Sequence, residues 1–173
     1  MHLLQSFFDS YNLIGFVIMI IIQILLFIEI RKLKEKISEK MELNDEGTRL
    51  KLQALERLTL FAERIGLQNL VNRSHNSNMS ATLMQQTLVE TIKSEHEYNA
   101  TQQIYVNPEI WGAVTRLKDQ NIYIINQLAA PLPHNATAMD LSKRIIEYSL
   151  QENAQLNNIV IDALRFEAQK LTD

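Results

Sequence analysis

The sequence predicts an all-α protein, in which a single N-terminal transmembrane helix precedes a small cytoplasmic helical bundle of about four main helices. Three observations carry this expectation. Leu13 to Ile30 reads LIGFVIMIIIQILLFIEI, apolar except for Gly15, Gln23 and Glu29. Downstream, apolar residues recur three and four apart with few breakers, since the chain holds only four Gly and three Pro. No long stretch alternates polar and apolar residues with the period of two that a half-buried strand requires.

The apolar run is the first element. A helix rises ~1.5 Å per residue, so about 20 residues cross the ~30 Å hydrocarbon core. Tyr11 and Asn12 complete that length, and residues 11–30 are the expected anchor. A cleavable signal peptide carries positive charge before a shorter apolar core and ends in a small-residue site. Here the order is reversed: only Asp9 and the neutral His2 precede the run, while Arg31, Lys32, Lys34, Lys36 and Lys40 follow it. The positive-inside rule then describes an uncleaved, single-pass signal anchor of the cytoplasmic (inner) membrane, with residues 1–10 outside and the C-terminal domain in the cytoplasm. The lipid bilayer is the first expected partner, and Arg31, Lys32, Lys34 and Lys36 are placed to contact its anionic headgroups. Gln23 is a side-chain amide in hydrocarbon. The same residue of a neighbouring copy can partner it, a bond worth roughly 0.6 to 2 kcal/mol in such settings, so Gln23 is a candidate for self-association into a homo-oligomer.

Residues 31–44 read as a charged juxtamembrane stalk continuing the same helix, with Ile30, Leu33, Ile37 and Met41 near one face. That stripe is too short to establish a coiled coil, although dimerisation through it stays open. Asn44-Asp45-Glu46-Gly47 is expected to break the helix and begin the domain at residue 45. Thr48 can cap the next helix, where Leu50, Ala54, Leu55, Leu58, Phe61, Ala62 and Ile65 share a broad face and Gly66 supplies a left-handed stop.

A short helical turn follows at Leu67 to Arg73, and Ser74-His75-Asn76-Ser77-Asn78 reads as a loop. Ser80 to about Glu97 is amphipathic through Met84, Leu88, Ile92 and Glu95 or His96. Asn99 to Val106 is either a helical continuation or an extended crossover. Asn107-Pro108-Glu109 is the sharpest helix start in the chain: a side-chain cap, a proline whose missing N–H costs nothing at the first helical position, and an acid near the positive end of the dipole. Pro131 and Pro133 end that helix. Thr137 and Asp140 form a capping-box-like pair before the final helical region, which the polar stretch Gln151 to Asn158 either interrupts or merely turns.

The chemistry is bounded mostly by what the chain lacks. With no cysteine there are no disulfides, thiolate metal sites or cysteine nucleophile. From Asp45 onward twelve Lys or Arg stand against fifteen Asp or Glu. That balance excludes the basic footprint of a nucleic-acid binder. His2, His75, His96 and His134 lie far apart, with neither a two-histidine helical face nor the Glu-x-x-His element of a di-iron bundle. Four glycines cannot build a glycine-rich phosphate loop. No metal and no cofactor is therefore expected, and no enzyme.

His96 between Glu95 and Glu97 is the best general-base candidate, but neighbours on a helix point in different directions, and the simpler reading is a solvent-facing polar cluster. Trp111 is the lone tryptophan and reads first as a core or interface anchor, with a partner or ligand contact as the alternative. Asn72, Asn78, Asn99 and Asn135 each begin an N-glycosylation acceptor pattern, which a cytoplasmic domain would leave unused.

Two blocks carry a family resemblance. Leu55-Glu-Arg-Leu-Thr-Leu-Phe-Ala-Glu-Arg-Ile65 with Asn69-Leu-Val and Arg73 is the first, and Glu97-Tyr-Asn-Ala-Thr-Gln-Gln-Ile-Tyr-Val106 with Glu109 and Trp111 the second. In these the chain resembles a family of short uncharacterised, membrane-anchored helical proteins of Bacteroidetes-type bacteria, a domain of unknown function. The resemblance implies an N-terminal anchor and a helical cytoplasmic domain, and it transfers no activity. The expected role is a membrane-tethered interaction module, an adaptor, scaffold or accessory subunit with a protein partner at the inner membrane. The alternative is a small-molecule-responsive regulator with a pocket between helices near Tyr105 and Trp111.

Overall fold

The structure, a computed structural model, describes residues 2–74, 79–151 and 156–171; of residues 2–17 and of Leu43 the backbone alone is described. Every helix or strand among the described residues is a helix: α1 (His2–Ile65), α2 (Leu67–Ser74), α3 (Ala81–Tyr98), a 3₁₀ helix (Ala100–Ile104), α4 (Pro108–Ala129), α5 (Ala138–Ser149) and α6 (Leu156–Gln169). These six α-helices exceed the four or so expected. The turn after Gly66 is a helix in its own right, and the last region is two helices, α5 closing where the Gln151 N–H reaches the Tyr148 carbonyl. The interval 99–106, left open by the sequence, is filled by the 3₁₀ helix.

The chain divides into two compact units, Met1–Gly47 and Thr48–Asp173. The described residues of the first all lie in α1. The expected break at Asn44 to Gly47 does not occur: all four residues are helical, and Thr48 lies inside the helix rather than capping it. One glycine without an accompanying proline costs only about 1 kcal/mol relative to Ala, which the surrounding helix absorbs. A Cβ on Gly47 would meet nothing within 4 Å, so no close approach requires a glycine there. Among the described residues no helix is long and apolar enough to cross a membrane. Residues 13–17 of the apolar run, and the expected outward segment 1–10, fall outside the described side chains.

The second unit holds the core. The end of α1 contributes Ala54, Leu55, Leu58, Phe61, Ala62 and Ile65, none more than 1% exposed. Around this stripe, α3 brings Met84, Leu88 and Ile92, α4 Val114, Leu117 and Ile125, α5 Leu141 and Ile145, and α6 Val160 and Leu164. The three- and four-residue steps are those of one helix face, and their burial drives assembly at roughly 25 cal/mol per Å² of apolar surface. Within the unit, α3 packs against α4 and α5, α2 against α5, and α6 against α4.

The start signals are realised as expected. Ser80 Oγ accepts from the Leu83 N–H at 3.2 Å, and Asn107 Oδ1 from the Ile110 N–H at 2.8 Å. Thr137 and Asp140 close a reciprocal capping box, whose hydrogen bonds from the Thr137 backbone and hydroxyl hold the Asp140 carboxyl below its ordinary pKa. An unforeseen feature links two of these starts. Ser80 and Thr137 form an antiparallel β-bridge, with the Ala81 N–H on the Ala136 carbonyl at 2.9 Å and the Ala138 N–H on the Met79 carbonyl at 3.0 Å.

The stop at Gly66 is placed as expected but built differently. No described glycine has positive φ, so the left-handed cap is absent. Four separate donors instead take the last carbonyls of α1. Ala62 O accepts from the Gly66 N–H at 3.1 Å, Glu63 O from Asn69 Nδ2 at 2.9 Å, Arg64 O from Arg73 at 2.8 Å, and Ile65 O from buried Asn121 Nδ2 at 2.8 Å. A Cβ at Gly66 would fit tightly, 3.2 Å from Asn157 Nδ2 and 3.3 Å from the Glu63 carbonyl.

Removing the buried donor strands a buried carbonyl, so Asn121→Ala is expected to cost about 1–3 kcal/mol. Asn69→Ala removes an exposed partner that water can replace and is expected to cost less than half as much. Urea unfolding of residues 48–173 measures both, and equal midpoints for the two variants would contradict this assignment.

Candidate functional site

The polar triplet near the end of α3 is dispersed by helix geometry. Successive residues are rotated by about 100°, so Glu95, His96 and Glu97 face three directions. Glu95 turns toward α1 and α2, where its carboxylate accepts from Arg64 Nε at 2.7 Å and lies 3.8 Å from an Arg73 guanidinium nitrogen. Glu97 is exposed. His96 is half-buried rather than solvent-facing, which corrects the polar-cluster reading.

The step of four from Met84 through Leu88 and Ile92 to His96 carries the imidazole onto the core stripe. Its ring stacks on Trp111 of α4 at a centroid distance of 5.0 Å and meets Phe61 of α1 edge-on at 5.9 Å. Nε2 is buried without a hydrogen-bond partner. Burial holds the His96 pKa below its ordinary value of 6.5, Lys118 adds to that, and Asp119 and Glu97 oppose it. The neutral ring therefore serves as an aromatic spacer between α1 and α4. A base needs an accessible nitrogen near a substrate, and Nε2 is not one.

Beside it, Arg57, Leu60, Arg64, Ser94, Tyr98 and Asn99 surround a surface depression of about 470 Å³. Arg57 lies over the Tyr98 ring at 5.4 Å and donates to its hydroxyl at 3.2 Å, while Ser94 donates to the Thr91 carbonyl at 3.1 Å. A second cleft, of about 290 Å³, is rich in amides, with Gln68, Asn69, Gln120, Asn121 and Asn157 in its wall. Neither has Tyr105 or Trp111 in its lining. Tyr105 is 39% exposed, and one face of Trp111 is taken by His96. Arg31, Lys32, Lys34, Lys36 and Gln23 are all exposed on α1. Among the described residues no group of three or more His, Asp or Glu could hold a metal ion.

A family model described as "Family of unknown function (DUF7935)" matches residues 5–171. The chain belongs to this family. The DUF7935 match takes in both Phe61 and Trp111, and so the whole aromatic sandwich. No curated protein and no solved structure matches this DUF7935 chain.

The depressed pKa of His96 gives a signed prediction. Above about pH 7 the ring is neutral in both folded and unfolded chains. As pH falls through the unfolded value toward the folded one, the unfolded chain binds the proton first and stability is lost. Urea midpoints should therefore fall on acidification across that window, and His96→Phe should remove that part of the fall. Emission from the lone Trp111 reports the same titration, and an unchanged pH profile in the variant would count against the sandwich as its source.

Proposed function

We propose that this protein is a membrane-tethered helical interaction module, an adaptor, scaffold or accessory subunit at the inner face of the cytoplasmic membrane. In this reading residues 11–30 form the single-pass anchor, residues 1–10 lie outside, and the domain from residue 45 meets a protein partner in the cytoplasm. The observation that carries it is the surface of α1 from Ile18 to Ile30, where large apolar side chains are exposed around the whole helix, Phe27 at 61% and Ile30 at 63%. A helix apolar on every side is stable only in an apolar surrounding. The basic residues Arg31, Lys32, Lys34 and Lys36 follow directly, and in this reading they meet the lipid headgroups. Thr48–Asp173 has its own core, so anchor and module have separate stabilities, and tethering raises the local concentration of weak contacts.

Fractionation of cells expressing the full chain and a version lacking residues 1–40 tests this. The full chain is expected to resist alkaline extraction from membranes, and the shortened one to stay in solution with a helical circular dichroism spectrum. Recovery of the full chain as a soluble protein would overturn the tether. A disordered or β-rich fragment would overturn the module.

A further inference from the structure

The exposed surface of α1 contains a seam that crosses from the apolar run into the charged stalk. Met19, Gln23, Leu26, Ile30, Leu33 and Ile37 follow one another at steps of four, three, four, three and four, and all six are exposed. In heptad terms Gln23, Ile30 and Ile37 occupy one core position (a), and Met19, Leu26 and Leu33 the other (d). β-branched residues at a with Leu at d favour two parallel strands, and one polar residue at a fixes their register. Gln23 and the stalk stripe thus belong to a single face.

The flanks agree. In a parallel pair each g residue meets the e residue five positions later on the other strand. Glu29 is at g and Lys34 at e, so Glu29 of one copy faces Lys34 of the partner subunit, twice per dimer. The next d position holds Lys40, which ends the apolar seam.

We propose that two copies of this chain pair in parallel along the Met19 to Ile37 seam, with Gln23 against Gln23 of the partner subunit and Glu29 against the partner subunit's Lys34. The environment assigned to Gln23 rests on the anchored reading. The charge pair and the stalk half of the seam do not.

The chain has no cysteine, so single substitutions in the full-length protein give an unambiguous cross-linking map in its own membranes. Oxidation is expected to give several-fold more disulfide dimer for Leu26→Cys, Ile30→Cys, Leu33→Cys and Ile37→Cys than for Lys32→Cys or Glu35→Cys. Only a parallel pair brings every seam position against itself. Uniform yields, or a maximum confined to one seam position, would overturn the proposal. Adding Glu29→Lys to Leu33→Cys should lower its dimer yield, and a further Lys34→Glu should restore it; a swap that restores nothing would refute the charge pair. Alkaline extraction of the same samples separates the two readings. Periodic cross-linking in protein that extracts as soluble would sink the anchor and leave the seam, whereas membrane-retained protein without periodicity would do the reverse.

Discussion

A helix must find partners for its last four carbonyls, and in the second unit the end of α1 does so with four donors from three places. Gly66 closes one bond along the chain, Asn69 and Arg73 reach back from α2, and Asn121 comes from α4. The Asn121 bond is the most demanding of these, because both its ends are buried and water cannot stand in for either. It ties α4 to the point where the chain turns into α2, and Asn157 of α6 stands beside Gly66 at the same point. Side chains of α2, α4 and α6 thus meet at a single bend in the chain, at the end of the buried face from Ala54 to Ile65.

The aromatic stack is a second consequence of the same packing. Phe61 belongs to the buried face of α1, and Trp111 opens α4, so the ring between them must fill space without demanding a charge. Histidine does this while neutral. Its ring stacks on Trp111 and meets Phe61 edge-on, and the cost is a nitrogen that cannot be solvated when protonated. Glu95, one residue earlier, spends its charge elsewhere by tying Arg64 and Arg73 together near the end of α1. The pair shows how one helix turn can serve a core and a surface network at once.

Much of the second unit was legible in the sequence because capping and helical periodicity are local. Ser80, Asn107 with Pro108, and Thr137 with Asp140 marked their helix starts, and the buried stripes followed from three- and four-residue steps. What was not legible depended on partners far along the chain. Gly66 read as a left-handed stop, but its stop is made by Asn69, Arg73 and Asn121, whose arrival no local pattern announces. Asn44 to Gly47 read as a break, yet without a proline or a competing cap the helix simply continues. His96 read as polar surface because its charged neighbours dominated, although the step of four from Ile92 already placed it on the core face. For the site, Trp111 was foreseen as an anchor, and the identity of what it anchors against was visible only in three dimensions.

The bridge between Ser80 and Thr137 couples two helix beginnings that would otherwise fray independently. The first amide of a helix has no carbonyl to bond within its own helix. Here the first amide of α3 bonds beside α5, and the first amide of α5 bonds beside α3. Neither helix can unwind its opening turn without releasing a hydrogen bond of the other, so the two ends open as one cooperative unit. The segment between them, α3 through α4, is a loop closed at its base.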